Sequence, residues 1–276
     1  MRSTSGHTWN LKGLGARERE LISALAASEK PAVSADDVVQ HLGVSRPQAN
    51  LMLSRLSKKG WLQRLRRGAY AVVPIHSKTG EPVAEQPFAI ATTLFAPCYI
   101  SGWSSAEHWG LTEQISNTIV VYTARRQRTK TQLIGRVTYR TRYLPEGKIF
   151  GTRKIWSGAT GIQVADPHRT VVDILESPPL GGGGRQTLDI VKAYWNGEHV
   201  DADRLLEYAL RIGSGALLKR LGFTAERFNS PSEQWIRRCR EQITKGITRL
   251  DPSGPCRGKI VSRWNLRINI PMPEAE

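Results

Sequence analysis

The chain has 276 residues, 39% of them hydrophobic, and carries 40 Lys and Arg against 24 Asp and Glu, a formal net charge of +16. No apolar run approaches the roughly 20 residues of a membrane span, and the N-terminus lacks the apolar stretch of a signal peptide. The 3 cysteines form no Cys-x-x-Cys pair, which argues against a disulfide framework and a zinc site. We therefore expect a cytoplasmic protein without a membrane partner, whose charge attracts polyanions and above all nucleic acid.

The first 74 residues predict a winged helix-turn-helix. Apolar side chains at helical spacing predict a first helix over 16–28. Ser34 and Ser45 are suitable N-caps for two further helices, and Gln48 completes a capping box with Ser45. A two-stranded ribbon is then predicted over 61–73. This order of elements is the outline of a module that places the second helix of its helix-turn-helix in the DNA major groove.

The last of these helices and the ribbon are rich in side chains that bind DNA. Arg46, Gln48 and Asn50 are of the types that read guanine and adenine edges. Basic side chains further along neutralise phosphates and release counterions. A protein-interaction module is the alternative, because helix-turn-helix outlines also occur there. The predicted DNA-binding residues are Ser45, Arg46, Gln48, Asn50, Ser54, Arg55, Lys58, Lys59, Arg64, Arg66 and Arg67.

A second basic cluster follows later in the chain. Residues 122–154 carry 10 Lys and Arg against 1 Glu, whereas residues 1–74 carry 12 against 5 acidic residues. Arginines alternate with aromatic residues along a strand predicted over 135–144, so they would share one face of it. A solvated sheet face is the alternative, but such a face usually carries interspersed acids. The predicted second basic surface, a site for DNA or RNA, comprises Arg125, Arg126, Arg128, Lys130, Arg136, Arg140, Arg142, Arg153 and Lys154.

The fold class predicted from these patterns is α+β. A winged helix-turn-helix domain occupies 1–74, a Pro- and Gly-rich linker 75–87, and a larger mixed α/β domain 88–276. In the larger domain we expect helices over 88–95, from about Trp103, from Asp166, and as a run over 185–223 and 231–244. Residues 98–101 form a short run between two of these helices, and the expected strands are 117–122, 135–144, 148–156, 161–165 and 258–270.

Candidate catalytic residues have more plausible structural roles. Asp166 precedes Pro167 and is expected to cap a helix, and Asp173 lies too far along that helix to serve His168. Glycines 181–184 lack a phosphate-binding pattern. Cys98 stands in an apolar context and is expected to be buried. We therefore expect no enzymatic activity, no metal site and no cofactor.

Three blocks of sequence, taken together, resemble the AbiEi-type (abortive infection) antitoxins. Residues 99–111 (YISGWSSAEHWGL) resemble the family block YIS-x-W-S-A…H-x-G-L. Residues 164–175 (VADPHRTVVDIL) are similar to the family helix A-S-P-E-R-T-L-L-D-L-L, with His168 where the family often has Glu. Residues 250–269 resemble the closing strand. With the winged helix, the likeness covers nearly the whole chain.

The resemblance implies an antitoxin of a type IV toxin–antitoxin pair. Its N-terminal domain would repress its own operon by binding inverted repeats in promoter DNA, as a monomer in solution or a cooperative dimer on DNA. Its C-terminal domain would counteract a nucleotidyltransferase toxin without a stable complex, and would add a basic surface to cooperative DNA binding. Ser101, Trp103 and Trp109 would be core or scaffold positions.

Two other classes of function stay open on the residues alone. A ligand-responsive winged-helix transcription factor would bind a small molecule in its C-terminal domain, which requires an apolar pocket with a few convergent polar groups. A basic nuclease would require clustered carboxylates for metal ions, and the basic strands hold only Glu146.

Overall fold

The structure, a computed structural model, describes residues 13–28, 30–73, 87–228 and 231–273. The predicted linker, 75–87, lies outside the described residues apart from its last position. The chain divides into two compact units. The first extends to Ala96 and includes Thr131–Tyr139 and Ile155–Ile162, and the second comprises Pro97–Lys130, Arg140–Lys154 and the residues from Gln163 onward.

Helices and strands follow one another in a mixed arrangement, so the predicted α+β class is confirmed. The helices of the described residues are α1 (Ala16–Ala27), α2 (Ala35–Leu42), α3 (Arg46–Lys58), α4 (Pro87–Phe95), α5 (Gly102–His108), α6 (Pro167–Glu176), α7 (Gly184–Trp195), α8 (Ala202–Ile212), α9 (Gly215–Phe228) and α10 (Glu233–Arg240). The strands are β1 (Leu62–Arg66), β2 (Ala69–Val72), β3 (Cys98–Ile100), β4 (Thr118–Thr123), β5 (Thr131–Ile134), β6 (Val137–Tyr143), β7 (Thr152–Ser157), β8 (Thr160–Ala165), β9 (Thr248–Arg249), β10 (Lys259–Val261) and β11 (Leu266–Ile268). None of these helices is both long and apolar enough to cross a membrane.

In the described residues of the first unit, helices α1, α2 and α3 precede an antiparallel hairpin of β1 and β2. The Ser34 hydroxyl accepts a hydrogen bond from the Asp36 amide at 3.2 Å, which fixes the start of α2. The amide of Ser45 donates to the Gln48 carboxamide oxygen at 3.0 Å, the predicted capping box of α3. The apolar faces of these three helices form one core with the hairpin. The backbone of Val33 also pairs with that of Tyr70.

A six-stranded sheet has the order β5-β6-β4-β3-β8-β7. Its central strand β3 is buried at all three positions, runs antiparallel to β4 and runs parallel to β8. Apolar side chains on both faces of a strand favour this central placement. Strand β5 was not predicted, because its residues 131–134 lack a clear alternation.

Helix α6 is the centre of the second unit. Residues 167–175 of this helix are all buried, and α5, α7, α8 and α9 pack around it. The predicted cap is confirmed, since the Asp166 carboxylate accepts a hydrogen bond from the Arg169 amide at 2.7 Å. A helix buried on every side is consistent with a large core built from apolar side chains of many elements.

The prediction of one closing strand over 258–270 is wrong. Two short antiparallel strands, β10 and β11, occupy this segment, and β11 pairs in parallel with β9. Trp264 is fully buried, and Asn265 has a left-handed φ of 47°. The left-handed backbone at Asn265 turns the chain and allows the Trp264 indole to be buried. In a continuous strand, the residues on either side of Trp264 would instead be extended.

Candidate nucleic-acid interface

Helix α3 has one buried face and one exposed face. Ala49, Leu53 and Leu56 are fully buried in the core of the first unit. The helical period therefore turns Arg55 and Lys58 outward, and both are exposed. The outward face of the second helix of a helix-turn-helix is the part that meets base edges and phosphates. Arg55 and Lys58 thus lie on the exposed face of α3.

The β1–β2 hairpin follows α3 directly and forms the wing. Arg64 and Arg67 are exposed on it. Gly68 has a φ of 80° in the turn, a conformation that a side chain would strain. The pairing of the two strands is irregular between Arg64 and Arg66, so the side chains of these two arginines point in different directions.

Several residues of the predicted DNA-binding set have partners within the first unit. Arg46 forms an exposed ion pair with Asp36 at 3.1 Å. Gln48 is held in the capping box with Ser45. Their side chains have local bonds that DNA would have to replace.

Two of the predicted phosphate-binding cations are also tied inside this unit. The Lys59 ammonium lies 2.5 Å from the Glu18 carboxylate and donates to the carbonyl of Gly13 at 3.3 Å. Arg66 donates to the carbonyl of Leu94 at 2.8 Å. Apart from Arg46, the exposed cations of α3 and the wing are therefore Arg55, Lys58, Arg64 and Arg67.

Residues 20–73 of the chain match a family model described as a transcriptional regulator, the AbiEi antitoxin. The resemblance to the AbiEi antitoxins is confirmed. The matched segment contains α2, α3 and both strands of the wing, so it identifies an antitoxin-like transcriptional regulator.

Among solved structures, the chain is similar to the RV2827C protein from Mycobacterium tuberculosis, with a TM-score of 0.67 and 16% sequence identity. The likeness covers 95% of this chain and 94% of that chain, so the shared fold extends well beyond the segment that matches the AbiEi family model. At this identity the likeness shows the fold alone. The comparison with curated proteins finds no match.

The second basic cluster contains an exposed loop between β4 and β5. Arg125, Arg126, Arg128 and Lys130 are all exposed there. The loop is fixed near its start by a hydrogen bond from the Arg125 amide to the Thr123 hydroxyl at 3.0 Å, and at its end by one from the Thr141 amide to the Lys130 carbonyl at 2.7 Å. Two backbone hydrogen bonds thus anchor the loop that carries these four cations.

The arginines of β6 have different surroundings from those of the loop. Arg140 donates to the Pro179 carbonyl at 3.0 Å, and Arg142 forms an ion pair with Glu176. Both lie on the face opposite the buried Tyr139, which agrees with the predicted alternation. Arg136, however, has a φ of 68° and precedes β6, so its predicted place on this strand is wrong.

The last two residues of the predicted surface lie on β7. Arg153 and Lys154 are both exposed. The Arg153 guanidinium lies 5.2 Å from the centre of the Trp109 ring, which is a cation–π distance. The indole of Trp109 in turn donates to the Ala165 carbonyl at 2.6 Å, a scaffold role.

A buried polar network surrounds Asp173. Its carboxylate accepts hydrogen bonds from Arg169 at 2.9 Å, from the Tyr99 hydroxyl at 2.9 Å and from the Ser101 hydroxyl at 2.6 Å. Burial raises the pKa of Tyr99 and of Tyr122 well above the ordinary value, so both phenols stay protonated. These hydrogen bonds join residues 99–111, the first of the three blocks that resemble the AbiEi antitoxins, to α6. No pattern in the sequence predicts this network.

His168 does not meet Asp173 but lies against another tyrosine. Its Nδ1 is 2.8 Å from the Tyr194 hydroxyl oxygen. Burial lowers the pKa of His168, and the nearby carboxylate of Asp166 opposes that change. The imidazole is therefore neutral in the folded protein at neutral pH.

The titration of His168 makes stability depend on pH. As pH falls below about 6.5, the ordinary histidine value, the unfolded chain binds a proton that folded His168 does not. The free energy of unfolding should therefore fall between pH 7.5 and 5.5, and the fall should be smaller in His168→Asn. Urea unfolding at both pH values measures it. An equal fall in the wild type and the variant would contradict the prediction. Burial also lowers the pKa of His108, which therefore contributes separately to the pH dependence of the free energy of unfolding.

Two surface grooves in the described residues bear on the alternative functions. One, of about 390 Å³, is lined by Glu233, Ile236, Arg237, Arg240 and Glu241. The other, of about 340 Å³, is lined by Ala24, Leu25, Ser28, Lys30, Asp37, Gln40 and His41. Residues with polar side chains outnumber apolar ones along both grooves, whereas small-molecule sites are usually lined chiefly by apolar side chains. In the described part of the chain, no three His, Cys, Asp or Glu side chains are placed to hold a metal ion.

Proposed function

We propose that this protein is an antitoxin of a type IV toxin–antitoxin pair and represses its own operon. The observation that carries the proposal is the exposure of four cations on α3 and the wing, namely Arg55, Lys58, Arg64 and Arg67. These cations lie within the segment that matches the family model. Side chains of this kind neutralise phosphates on either side of a helix in the major groove.

Base reading would come from the first two turns of α3. Asn50 is exposed there and offers a carboxamide that can bond both N6 and N7 on the major-groove edge of adenine. Ser54 lies one turn further on and can bond a phosphate or a base. Ser45 and Gln48 hold the start of the helix, and Arg46 would exchange Asp36 for DNA. Each copy would read one half of an inverted repeat, either as a monomer binding cooperatively or as a dimer on the DNA.

The second basic surface would support the same function. We assign its DNA or antitoxicity role to Arg125, Arg126, Arg128 and Lys130, because these cations are exposed together. Arg140 and Arg142 would act as positioning residues, since their guanidinium groups bond to Pro179 and Glu176. The protein would work in the cytoplasm without enzymatic activity, and would oppose a nucleotidyltransferase toxin without a stable complex.

Co-expression tests the antitoxin part of this proposal. The proposal predicts a nucleotidyltransferase gene in the same operon; the full chain is expressed with that gene and growth is measured, together with a reporter driven by the promoter of the operon. We expect the wild type to restore growth and to silence the reporter. Growth arrest despite normal expression of the antitoxin would refute the antitoxin function, and an active reporter would refute autorepression.

The role of the exposed loop between β4 and β5 is tested by the triple substitution Arg125/Arg126/Arg128→Ala. We expect a shallower salt dependence of promoter binding, by about 0.9 log unit for each phosphate that is no longer neutralised, and weaker growth rescue. The matched control is Arg237/Arg238/Arg240→Ala, which removes three exposed arginines from α10 and changes the net charge equally. Equal effects of the two triple variants on the salt slope would show that only the total charge matters, and would overturn the assignment.

A further inference from the structure

Leu51 occupies the middle of the exposed face of α3. The side chain is 51% exposed, although Ala49 and Leu53, two residues before and after it, are fully buried. With about 100° of rotation per residue, Leu51 points almost directly away from the core of the first unit. Packing within this unit therefore does not explain a leucine at that position.

The side chains around Leu51 are those of a DNA-facing surface. Pro47, Arg55 and Lys58 lie four residues before, four after and seven after it, so they form one row with Leu51 along the helix. All three are exposed. The row begins in the first turn of α3, and it is the N-terminal part of such a helix that contacts base edges.

Two of the polar side chains near Leu51 are engaged in local bonds. Gln48 is engaged in the capping box, and Arg46 is paired with Asp36. A leucine side chain can donate or accept no hydrogen bond, so the edge that it contacts must offer an apolar group. The C5-methyl group of thymine is the apolar group that the bases present in the major groove.

We infer that Leu51 contacts a thymine methyl group and makes this protein select thymine at one position of each half-site. The inference rests on the proposed binding of duplex DNA by α3. It adds a specificity-determining residue to a set of phosphate-binding cations, which by themselves carry no sequence information.

Deoxyuridine scanning tests the inference, because uracil lacks only the methyl group. The probe is a duplex selected from a random library by the full-length wild-type protein, and each thymine in turn is replaced by deoxyuridine. At one thymine of each half-site we expect the affinity to fall about fourfold, the effect of burying one methyl group. Wild-type binding that is unchanged at every substituted position would overturn the inference.

Variants of Leu51 complete the test. Leu51→Ala should bind the thymine duplex several-fold more weakly and should show no further fall in affinity with deoxyuridine at that position. Leu51→Met should keep the response, because it remains apolar and reaches as far. The control is Ile247→Ala, which truncates a side chain of similar exposure, 53%, outside α3 and should behave as the wild type. An undiminished deoxyuridine response in Leu51→Ala would overturn the assignment to this residue.

The outcomes separate this inference from the proposed function. If the full chain selects no duplex at all, DNA binding by α3 fails and Leu51 has no base to read. If it selects a duplex and its salt dependence falls in Lys58→Ala, while no thymine responds to deoxyuridine, only the inference about Leu51 fails. Circular dichroism of Leu51→Ala should match the wild type, since an exposed leucine contributes little to the core.

Discussion

Asp173→Asn is expected to lower the free energy of unfolding by about 3–5 kcal/mol, because it leaves a buried guanidinium without its counter-charge. The side chains of Arg169 and Asp173 are 1% and 4% exposed, and their charged atoms lie 2.9 Å apart. The Arg169 guanidinium also lies 4.3 Å from the Phe150 ring centre, a cation–π distance, but this contact does not replace the lost counter-charge. Urea unfolding followed by circular dichroism measures the change.

The chain offers a matched control for this substitution. Arg185 and Asp189 form a second ion pair with the same four-residue spacing on α7, but their side chains are 58% and 42% exposed. Asp189→Asn should change stability by less than about 1 kcal/mol, since water screens an exposed pair. If Asp173→Asn costs no more than Asp189→Asn, the network around Asp173 is not a principal support of the fold.

A second consequence concerns the shape of the unfolding transition. Tyr99 and Ser101 come from β3 and its end, whereas Asp173 comes from α6, so the substitution weakens the contact between the central strand and the central helix. We expect the transition midpoint to fall at an unchanged denaturant slope if the second unit still unfolds in one step. A smaller slope would indicate that this unit loosens before it unfolds.

The parts of the fold that could be predicted from the sequence depend on neighbours in the chain. The caps at Ser34, Ser45 and Asp166 join residues two or three positions apart, and such spacing is visible in the sequence. The buried and exposed faces of α3 follow from the helical period alone. The network around Asp173 joins residues more than 70 positions apart, so no local pattern indicates it.

The same distinction explains the outcome for the candidate interface. Sequence composition identifies basic residues on α3 and the wing, but it cannot distinguish those that have partners inside the protein. Lys59 meets Glu18 across 41 positions, and Arg66 meets Leu94 across 28. Leu51 is absent from the predicted DNA-binding residues because an apolar residue on a helix is first assigned to the core. Its exposed fraction of 51%, together with the helical period, places it on the outward face of α3.

The combined substitution Arg55/Lys58/Arg64/Arg67→Ala is expected to abolish useful binding to promoter DNA. Each cation that neutralises a phosphate contributes about 0.9 to the slope of log affinity against log salt concentration, so the slope should fall by about 3.6 if all four bind phosphates. Titrations of labelled promoter duplex at several salt concentrations measure it. Because these side chains are exposed, the free energy of unfolding should change little.

Lys58 and Lys59 provide the sharpest control, because they are adjacent and chemically identical. Lys58→Ala should remove about 0.9 from the salt slope and leave stability unchanged. Lys59→Ala should leave the slope nearly unchanged and lower stability modestly, since its ammonium pairs with Glu18 at 2.5 Å. The Glu18 pKa is lowered chiefly by its hydrogen bond from Lys59, so that stabilisation should be present at neutral pH and disappear in acid as Glu18 is protonated. Equal slopes in the two variants would show that position on α3 does not select the phosphate-binding cations, and a DNA-facing surface would have to be sought on another face of the protein.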